Sequence, residues 1–182
     1  MLRGYFKRYK SFLQFLGLFF LTYVVLTLCY QYYLGLFKGS TVDGFTEAVS
    51  SNAAVVLQFF TDGSYVVKNP DQDFIKLIYK GSYVAKIIEG CNAMSVIILF
   101  TSFVIAFSGR IKPTVTFIII GSVVIYVLNI FRIALLSALI YYHPDQEPLL
   151  HGVIFPLYIY GVVCMLWMYW VQKYSKYASK KN

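Results

Sequence analysis

The sequence predicts an all-α integral membrane protein with about four transmembrane helices. Apolar residues make up 59% of the 182-residue chain and charged residues only 13%. A soluble domain of this size could not bury so much apolar surface. Three long stretches also contain no Asp, Glu or Lys and are long enough to cross a hydrocarbon core of about 30 Å. We therefore expect a single membrane-embedded domain over residues 1–182.

The four spans are expected at residues 11–36, 91–108, 113–142 and 149–172. The first, third and fourth exceed the roughly 20 residues that a helix needs to cross the membrane, and the second is barely long enough. A basic N-terminus before an apolar run is also typical of a cleaved signal peptide. The first run is too long for that and no small-residue cleavage site follows it, so we expect a retained span.

Most basic residues cluster in three places: the N-terminus, the turn between the second and third spans, and the C-terminal tail. They are Arg3, Lys7, Arg8, Lys10, Arg110, Lys112, Lys173, Lys176, Lys180 and Lys181. Such clusters favour the cytoplasmic side, whereas all eight acidic residues fall within 37–90 and 143–148. The sequence thus predicts both termini inside the cell, in a multi-pass protein of the inner (cytoplasmic) membrane. No basic, aromatic-interleaved surface suggests nucleic acid as a partner.

Residues 37–90 are expected to form an extracytoplasmic insert. Residues 45–60 have helical length, with polar residues early and apolar residues late, and are interpreted as an interfacial helix, although membrane insertion stays open. Residues 65–68, 74–79 and 83–88 are rich in β-branched and aromatic residues and are separated by turn-forming residues. This pattern predicts a short β hairpin or meander.

Three reactive side chains from three spans are expected at one membrane depth. Cys91 begins the second span and His151 begins the fourth, both on the extracytoplasmic side. Counted from Pro113 at about 1.5 Å per residue, Arg132 lies roughly 28 Å above the cytoplasmic edge, near the outer boundary of the core. The shared depth makes a thiol, a guanidinium and an imidazole candidates for one catalytic site.

Each of the three groups has the chemistry that nucleophilic catalysis needs. A helix N-terminus and a nearby guanidinium both favour the thiolate of Cys91. A neutral His151 could accept the thiol proton and return it to a leaving amine. Arg132 could donate to the oxyanion of a tetrahedral intermediate. Asn129 lies three residues before Arg132 on the same helical face and could orient it.

Each cysteine also has an interpretation without catalysis. Cysteines in apolar spans are usually inert packing residues, which is our interpretation of Cys29 and Cys164 and an alternative for Cys91. A disulfide between Cys29 and Cys91 is a second alternative, because both lie near the outer side in an oxidising compartment.

Arg132 could instead be a snorkelling side chain that pairs with Glu89 or Asp145, although a charge inside a span is functional by default. His151 could be an ordinary interfacial residue, with His143 as the alternative base. In a zinc site, the ligands would be Cys91, His143, His151 and Glu147. Because none of the compact metal spacings is present, we expect neither a metal nor another cofactor.

Three short motifs carry a resemblance to a known family. Glu89-Gly90-Cys91-Asn92, then Asn129-Ile130-Phe131-Arg132, then His151-Gly152 at the head of the last span resemble the exosortase and archaeosortase family of membrane-embedded, sortase-like cysteine transpeptidases. The resemblance covers roughly residues 85–165, and the compact, tyrosine-rich, basic chain resembles the F-type exosortase subgroup. Ala93 is a departure, because the family often has Gly there.

The resemblance implies a catalytic site of Cys91, Arg132 and His151. The supporting residues are Glu89, Asn92 and Asn129. The implied substrates are exported proteins whose C-terminus carries a short recognition motif, a membrane helix and a basic tail. The enzyme would cleave at the motif on the outer face of the membrane, form a thioester and transfer the product to a surface acceptor such as a lipid amine or a glycan.

Two other functional classes stay open beside the cysteine peptidase or transpeptidase. The chain could be a non-catalytic membrane subunit of an export or assembly complex, with Cys91 merely packed or in a disulfide. A small-solute transporter would need further polar groups along a path through the spans. Apart from Arg132 and Asn129, the spans offer mainly Ser and Thr.

Overall fold

The computed structural model describes residues 9–37, 42–68, 73–107 and 109–174. Its elements, in chain order, are α1 (Lys10–Gly35), α2 (Gly44–Gln58), β1 (Tyr65–Lys68), β2 (Ile75–Tyr79), β3 (Ser82–Ile87), α3 (Met94–Ala106), α4 (Ile111–Tyr142) and α5 (Phe155–Lys173). A single 3-10 turn, Glu89–Cys91, precedes α3. Short 3-10, α and π turns fill the segment from Pro144 to Ile154 and lead directly into α5.

Three helices are apolar and long enough to cross a membrane. They are α1, α4 and the 30-residue helical segment Pro144–Lys173 that ends in α5. The remaining predicted span, 91–108, contains only the 13-residue α3, which is about 20 Å long and therefore shorter than a hydrocarbon core. The chain is thus a largely helical protein of membrane-spanning type, while the count of four crossings stays a prediction.

The four apolar helices run alternately up and down between two ends of the molecule. At one end, Phe15 of α1 lies 4.2 Å from Phe107, and Phe103 of α3 lies 4.2 Å from Trp167 of α5, between ring centroids. At the other end, Tyr30 of α1 bonds to Asn92, just before α3. The end with Phe107 and Trp167 is called the basic end, because it contains Lys10, Arg110, Lys112 and Lys173. The end with Tyr30 and Asn92 is called the sheet end, because it contains the three strands and Tyr142. The N-terminus of α1 and the C-terminus of α5 therefore both lie at the basic end.

Helix α2 begins at a buried aspartate. Asp43 accepts hydrogen bonds from the backbone N–H groups of Phe45 (3.0 Å) and Thr46 (3.1 Å), which satisfies two donors of the first helical turn. The helix then buries a stripe that contains Val49, Ala53 and Leu57. A helix thus occupies most of the predicted interval 45–60, and its location at the membrane interface stays a prediction.

The strands form an antiparallel sheet in the order β1-β2-β3. Strand β2 alternates, so that Ile75, Leu77 and Tyr79 are buried and the residues between them are not. Lys80 and Gly81 form the two-residue turn into β3, with φ of 51° and 75°. Positive φ at both positions matches the twist of a tight hairpin, so the meander has the turn that its sequence suggests.

Two packed clusters fix these elements around α4. At the sheet end, apolar residues of α2, β2, β3 and α4 form one cluster, which includes Val49, Leu77 and Ile133. Nearer the basic end, α3, α4 and α5 meet in a second cluster around Phe100 and Trp170, both fully buried. Helix α4 contributes to both clusters and therefore sets the position of the other elements.

Candidate active site

Cys91 lies in a tight turn between the sheet and α3. Its backbone N–H donates to the Ile88 carbonyl at 2.8 Å, which closes the 3-10 turn. Ala93 then adopts the left-handed conformation with φ of 63°, and α3 begins at Met94, whose N–H donates to the Asn92 side chain at 2.9 Å. Gly would suit this conformation better than Ala, because Gly has no Cβ to clash there.

Asn92 ties this turn to two other helices. Its side chain is almost fully buried, and its Nδ2 donates to the Tyr30 hydroxyl of α1 at 2.7 Å and to Thr46 Oγ1 of α2 at 3.1 Å. Thr46 Oγ1 in turn donates to Asp43 Oδ2, and Asp43 is fully buried. The backbone beside Cys91 is thus held by a buried polar network that reaches α1 and α2, which restricts its movement.

Asn129 bridges Cys91 and Arg132. Its side chain is fully buried in α4, and its Nδ2 donates to the Cys91 carbonyl at 2.7 Å. Its Oδ1 accepts from Arg132 Nη1 at 3.2 Å. One amide therefore uses its donor and its acceptor to hold the cysteine turn and the guanidinium together. This is the only hydrogen-bonded connection between the turn and α4 among the described residues.

Arg132 is half-buried and lacks an acidic partner. Its guanidinium forms no salt bridge within residues 9–37, 42–68, 73–107 and 109–174, where the one ion pair joins Lys68 and Glu47. Its Nε is buried with no hydrogen-bond partner. The Cys91 thiol and the Tyr160 hydroxyl of α5 both lie within electrostatic range of this guanidinium. The pairings with Glu89 or Asp145 that the sequence left open are therefore not formed.

All three cysteines of the chain are free. Cys29 and Cys164 are exposed on apolar helices, and the alternative disulfide between Cys29 and Cys91 is not formed. Cys91 is partly buried and packs against the sheet-end cluster. Its side chain thus packs against an apolar wall, while its carbonyl is linked through Asn129 to Arg132.

His151 is not joined to Cys91 or Arg132. It is exposed and lies in the π turn Leu150–Ile154, and its imidazole makes no hydrogen bond or ion pair with any residue that the structure describes. Tyr160, which does approach Arg132, lies nine residues later, about 13 Å further along the helical axis. A tyrosine side chain in a helix points back toward the N-terminus, so its hydroxyl shortens this separation.

The remaining predicted groups take peripheral positions. Glu89 is exposed, and its carbonyl accepts weakly from the Asn92 N–H at 3.4 Å. His143 is exposed at the C-terminus of α4. In the part of the chain that the structure describes, no three His, Cys, Asp or Glu side chains gather into a group that could hold a metal ion.

Sequence reasoning missed four residues near the site. It treated the tyrosines as packing and interface anchors, although Tyr30 supports Asn92 and Tyr160 approaches Arg132. It also left out Asp43 and Thr46. An aspartate three residues before a threonine at the start of a helical stretch is a recognisable capping signal, but nothing in the sequence indicates its contact with Asn92.

Comparison with known proteins yields no match to any family profile, curated protein or solved structure.

Proposed function

We propose that this chain is an exosortase-like cysteine peptidase or transpeptidase that cleaves C-terminal sorting signals of exported proteins. The observation that carries the proposal is the Asn129 bridge, which holds the Cys91 turn beside a guanidinium whose Nε is buried and unpartnered. A buried donor without a partner costs free energy, and a donor that is free in the resting site can serve the oxyanion of a reaction intermediate. The motifs around Cys91, Arg132 and His151 support the same assignment.

The chemistry begins at the Cys91 thiol. Its sulfur attacks the carbonyl carbon of the scissile peptide bond, and Arg132 donates to the oxyanion that develops on the carbonyl oxygen. The thiol proton passes to His151 and then to the leaving amine nitrogen as the C–N bond breaks. This leaves the substrate's new C-terminus as a thioester on Cys91. An acceptor amine or hydroxyl, or water, then attacks the thioester and restores the thiol.

His151 must approach the other two groups when the substrate binds. Its π turn supports this step, because such turns in helices occur frequently at functional sites and are less regular than the α-helix around them. Catalytic hydrogen bonds are also often long or absent before the substrate binds. Glu89 and Asn92 support the turn that carries the nucleophile, and Asn129 orients Arg132.

The proposed substrate is an exported protein with a C-terminal motif, a membrane helix and a basic tail. An active site on the extracytoplasmic side of the inner membrane suits a scissile bond just outside the substrate's own helix. The proposed acceptor is a lipid or a glycan at the cell surface.

The decisive experiment follows C-terminal processing of such a substrate in cells that carry wild-type protein or Cys91→Ser. We expect Cys91→Ser to abolish processing while the protein inserts at its normal level, because a hydroxyl is a far weaker nucleophile than a thiolate. Cys29→Ser and Cys164→Ser are the matched controls and should process normally. Normal processing by Cys91→Ser would refute the enzyme assignment.

The alternative is a non-catalytic membrane subunit of an export or assembly complex. The exposed position of His151, without contact to Cys91, favours this alternative. It predicts that Cys91→Ser and His151→Gln leave processing intact, and that export fails only when the subunit is removed altogether.

A further inference from the structure

A cavity opens at the basic end, far from Cys91, between the start of α4 and the end of α5. Its volume is about 460 Å³, within the range of about 300–1,000 Å³ that is usual for small-molecule sites. Its walls include Lys112, Thr116, Phe117, Ile120, Tyr169 and Tyr174. The cavity is thus apolar along most of its wall and cationic at its rim.

Lys112 lines the cavity, Lys173 contacts two of its lining tyrosines, and Arg110 lies two residues before Lys112. Arg110 and Lys112 are exposed at the start of α4. Lys173 lies on the other side, with its Nζ 3.2 Å from the Tyr169 hydroxyl and 5.3 and 5.9 Å from the ring centroids of Tyr169 and Tyr174. Each acidic residue that the structure describes belongs to the sheet-end segments 42–68, 73–90 and 143–148. No described carboxylate therefore competes with an incoming anion for the cations at the rim.

The cationic rim is also partly pre-arranged. Tyr169 and Tyr174 hold the Lys173 ammonium over their rings, and the ammonium has three donors, of which Tyr169 engages one. An incoming phosphate oxygen can use the remaining donors without the full entropic cost of ordering a free lysine side chain.

We propose that this cavity binds an anionic phospholipid. The phosphate lies between Lys112 and Lys173, and an acyl chain follows Phe117 and Ile120. Ile120 lies eight residues after Lys112, so the apolar wall continues for about 12 Å along α4. A free phosphate ion would leave that wall uncovered, whereas a lipid matches both the charged rim and the apolar depth. Basic cavities between membrane helices commonly hold anionic head groups in this way.

The test measures lipid binding to the purified full-length protein in detergent by native mass spectrometry, with phosphatidylglycerol and phosphatidylcholine as probes. We expect wild-type protein to retain phosphatidylglycerol and to bind phosphatidylcholine more weakly. One lysine near a lipid head group contributes about fivefold in affinity, so Lys112→Gln/Lys173→Gln should lose roughly 30-fold. The matched control, Lys76→Gln/Lys86→Gln, removes the same charge at the sheet end and should bind as the wild type does. If both double variants lost the same affinity for phosphatidylglycerol, the cavity would not be the binding site and the proposal would be wrong.

A second variant separates the cavity from a diffuse positive field. Thr116→Trp fills the cavity but keeps all cations, and we expect it to lose the preference for phosphatidylglycerol. Binding of Thr116→Trp at the wild-type level would contradict the proposal. Glycerol phosphate, which has the head-group charge and no acyl chains, should fail to displace the lipid at equal concentration. Displacement would identify a soluble-anion site instead.

Discussion

Asn129 is the residue on which the geometry of the candidate site depends most. Asn129→Ala removes the donor to the Cys91 carbonyl and the acceptor for Arg132 at once. We expect the free energy of unfolding to fall by about 1–3 kcal/mol, because two polar groups lose a partner in a buried region. Processing of the sorting signal should be lost even at temperatures where the variant stays folded. Thermal unfolding in detergent and the cell-based processing assay measure the two effects.

Ser137→Ala is the matched control for Asn129→Ala. Ser137 is also buried in α4, but its hydroxyl donates only to the Ile133 carbonyl of its own helix, at 2.8 Å. Its loss should cost less than about 1 kcal/mol and leave processing unchanged. If both variants behave alike, the Asn129 bridge has no special role.

Among the site residues, Cys91 and Arg132 were predictable from the sequence to lie near each other, whereas the position of His151 was not. Counting residues along α4 was enough to predict that Arg132 and Cys91 lie at similar depth, because helical rise is nearly constant. Depth does not determine how a helix is rotated about its axis. The contact between Asn129 and Cys91 depends on that rotation and could not be predicted. His151 is instead displaced along the helical axis, about 13 Å from Tyr160, which is a residue of the last span that does interact with Arg132.

The contact between α3 and α4 depends on one glycine. A Cβ on Gly121 would lie 2.3 Å from Cζ and 2.6 Å from Cε1 of Phe100, whose ring is fully buried. We expect Gly121→Ala to lower the free energy of unfolding by about 1–3 kcal/mol, since the fully buried Phe100 ring must shift to admit the methyl group. Thermal unfolding in detergent measures the loss.

Gly161→Ala provides the control for Gly121→Ala. Gly161 lies within α5, and a Cβ there meets nothing within 4 Å. Alanine is the better helix former by up to about 1 kcal/mol, so this variant should be neutral or more stable. A stabilised Gly121→Ala would show that the helices are less tightly packed than the contact with Phe100 implies.

Element boundaries followed the apolar pattern where no special turn intervened. Helices α1 and α4 begin and end within two residues of the predicted spans, because long apolar runs leave few alternatives to a helix. Helix α3 begins three residues later than predicted, since Cys91 to Ala93 form a turn with a left-handed residue. The π turn before α5 was also missed, because no sequence periodicity distinguishes it from an α-helix over five residues.

For the whole molecule, the short helix α3 decides the topology. If α3 crosses the membrane, the sheet end and the basic end lie on opposite sides and both termini share one side. The side of the membrane on which each end lies can be measured with single cysteines in a protein that lacks the three native ones. Asp62→Cys reports the sheet end, and Arg110→Cys reports the basic end. We expect a membrane-impermeant maleimide to label Asp62→Cys in intact cells and Arg110→Cys only after permeabilisation.

Lys173→Cys is the control for the topology measurement. It shares the basic end with Arg110 and should behave in the same way. Labelling of Asp62→Cys and Arg110→Cys from one side would mean that α3 enters and leaves the same face, and the prediction of two cytoplasmic termini would then be wrong.

Outside the membrane spans, Lys80 fixes the sheet to the end of α4. Its ammonium donates to the Tyr142 hydroxyl at 2.7 Å and lies 5.2 to 5.9 Å from the ring centroids of Tyr79, Tyr141 and Tyr142. The bond to Tyr142 raises the pKa of Lys80, so its charge persists throughout the physiological range. Lys80 therefore connects the β2–β3 turn to the C-terminal end of α4.

The length of α4 has a consequence for the membrane around the protein. Its 32 residues extend about 48 Å, whereas a typical hydrocarbon core is about 30 Å thick. Hydrophobic mismatch of this kind is relieved by tilting, and the tilt angle changes with bilayer thickness. Because Arg132, the Cys91 turn and the sheet are all attached to α4, a thicker or thinner bilayer would change their height above the surface together. If the chain has the proposed peptidase activity, bilayer composition would then select which substrates present their scissile bond at the right level.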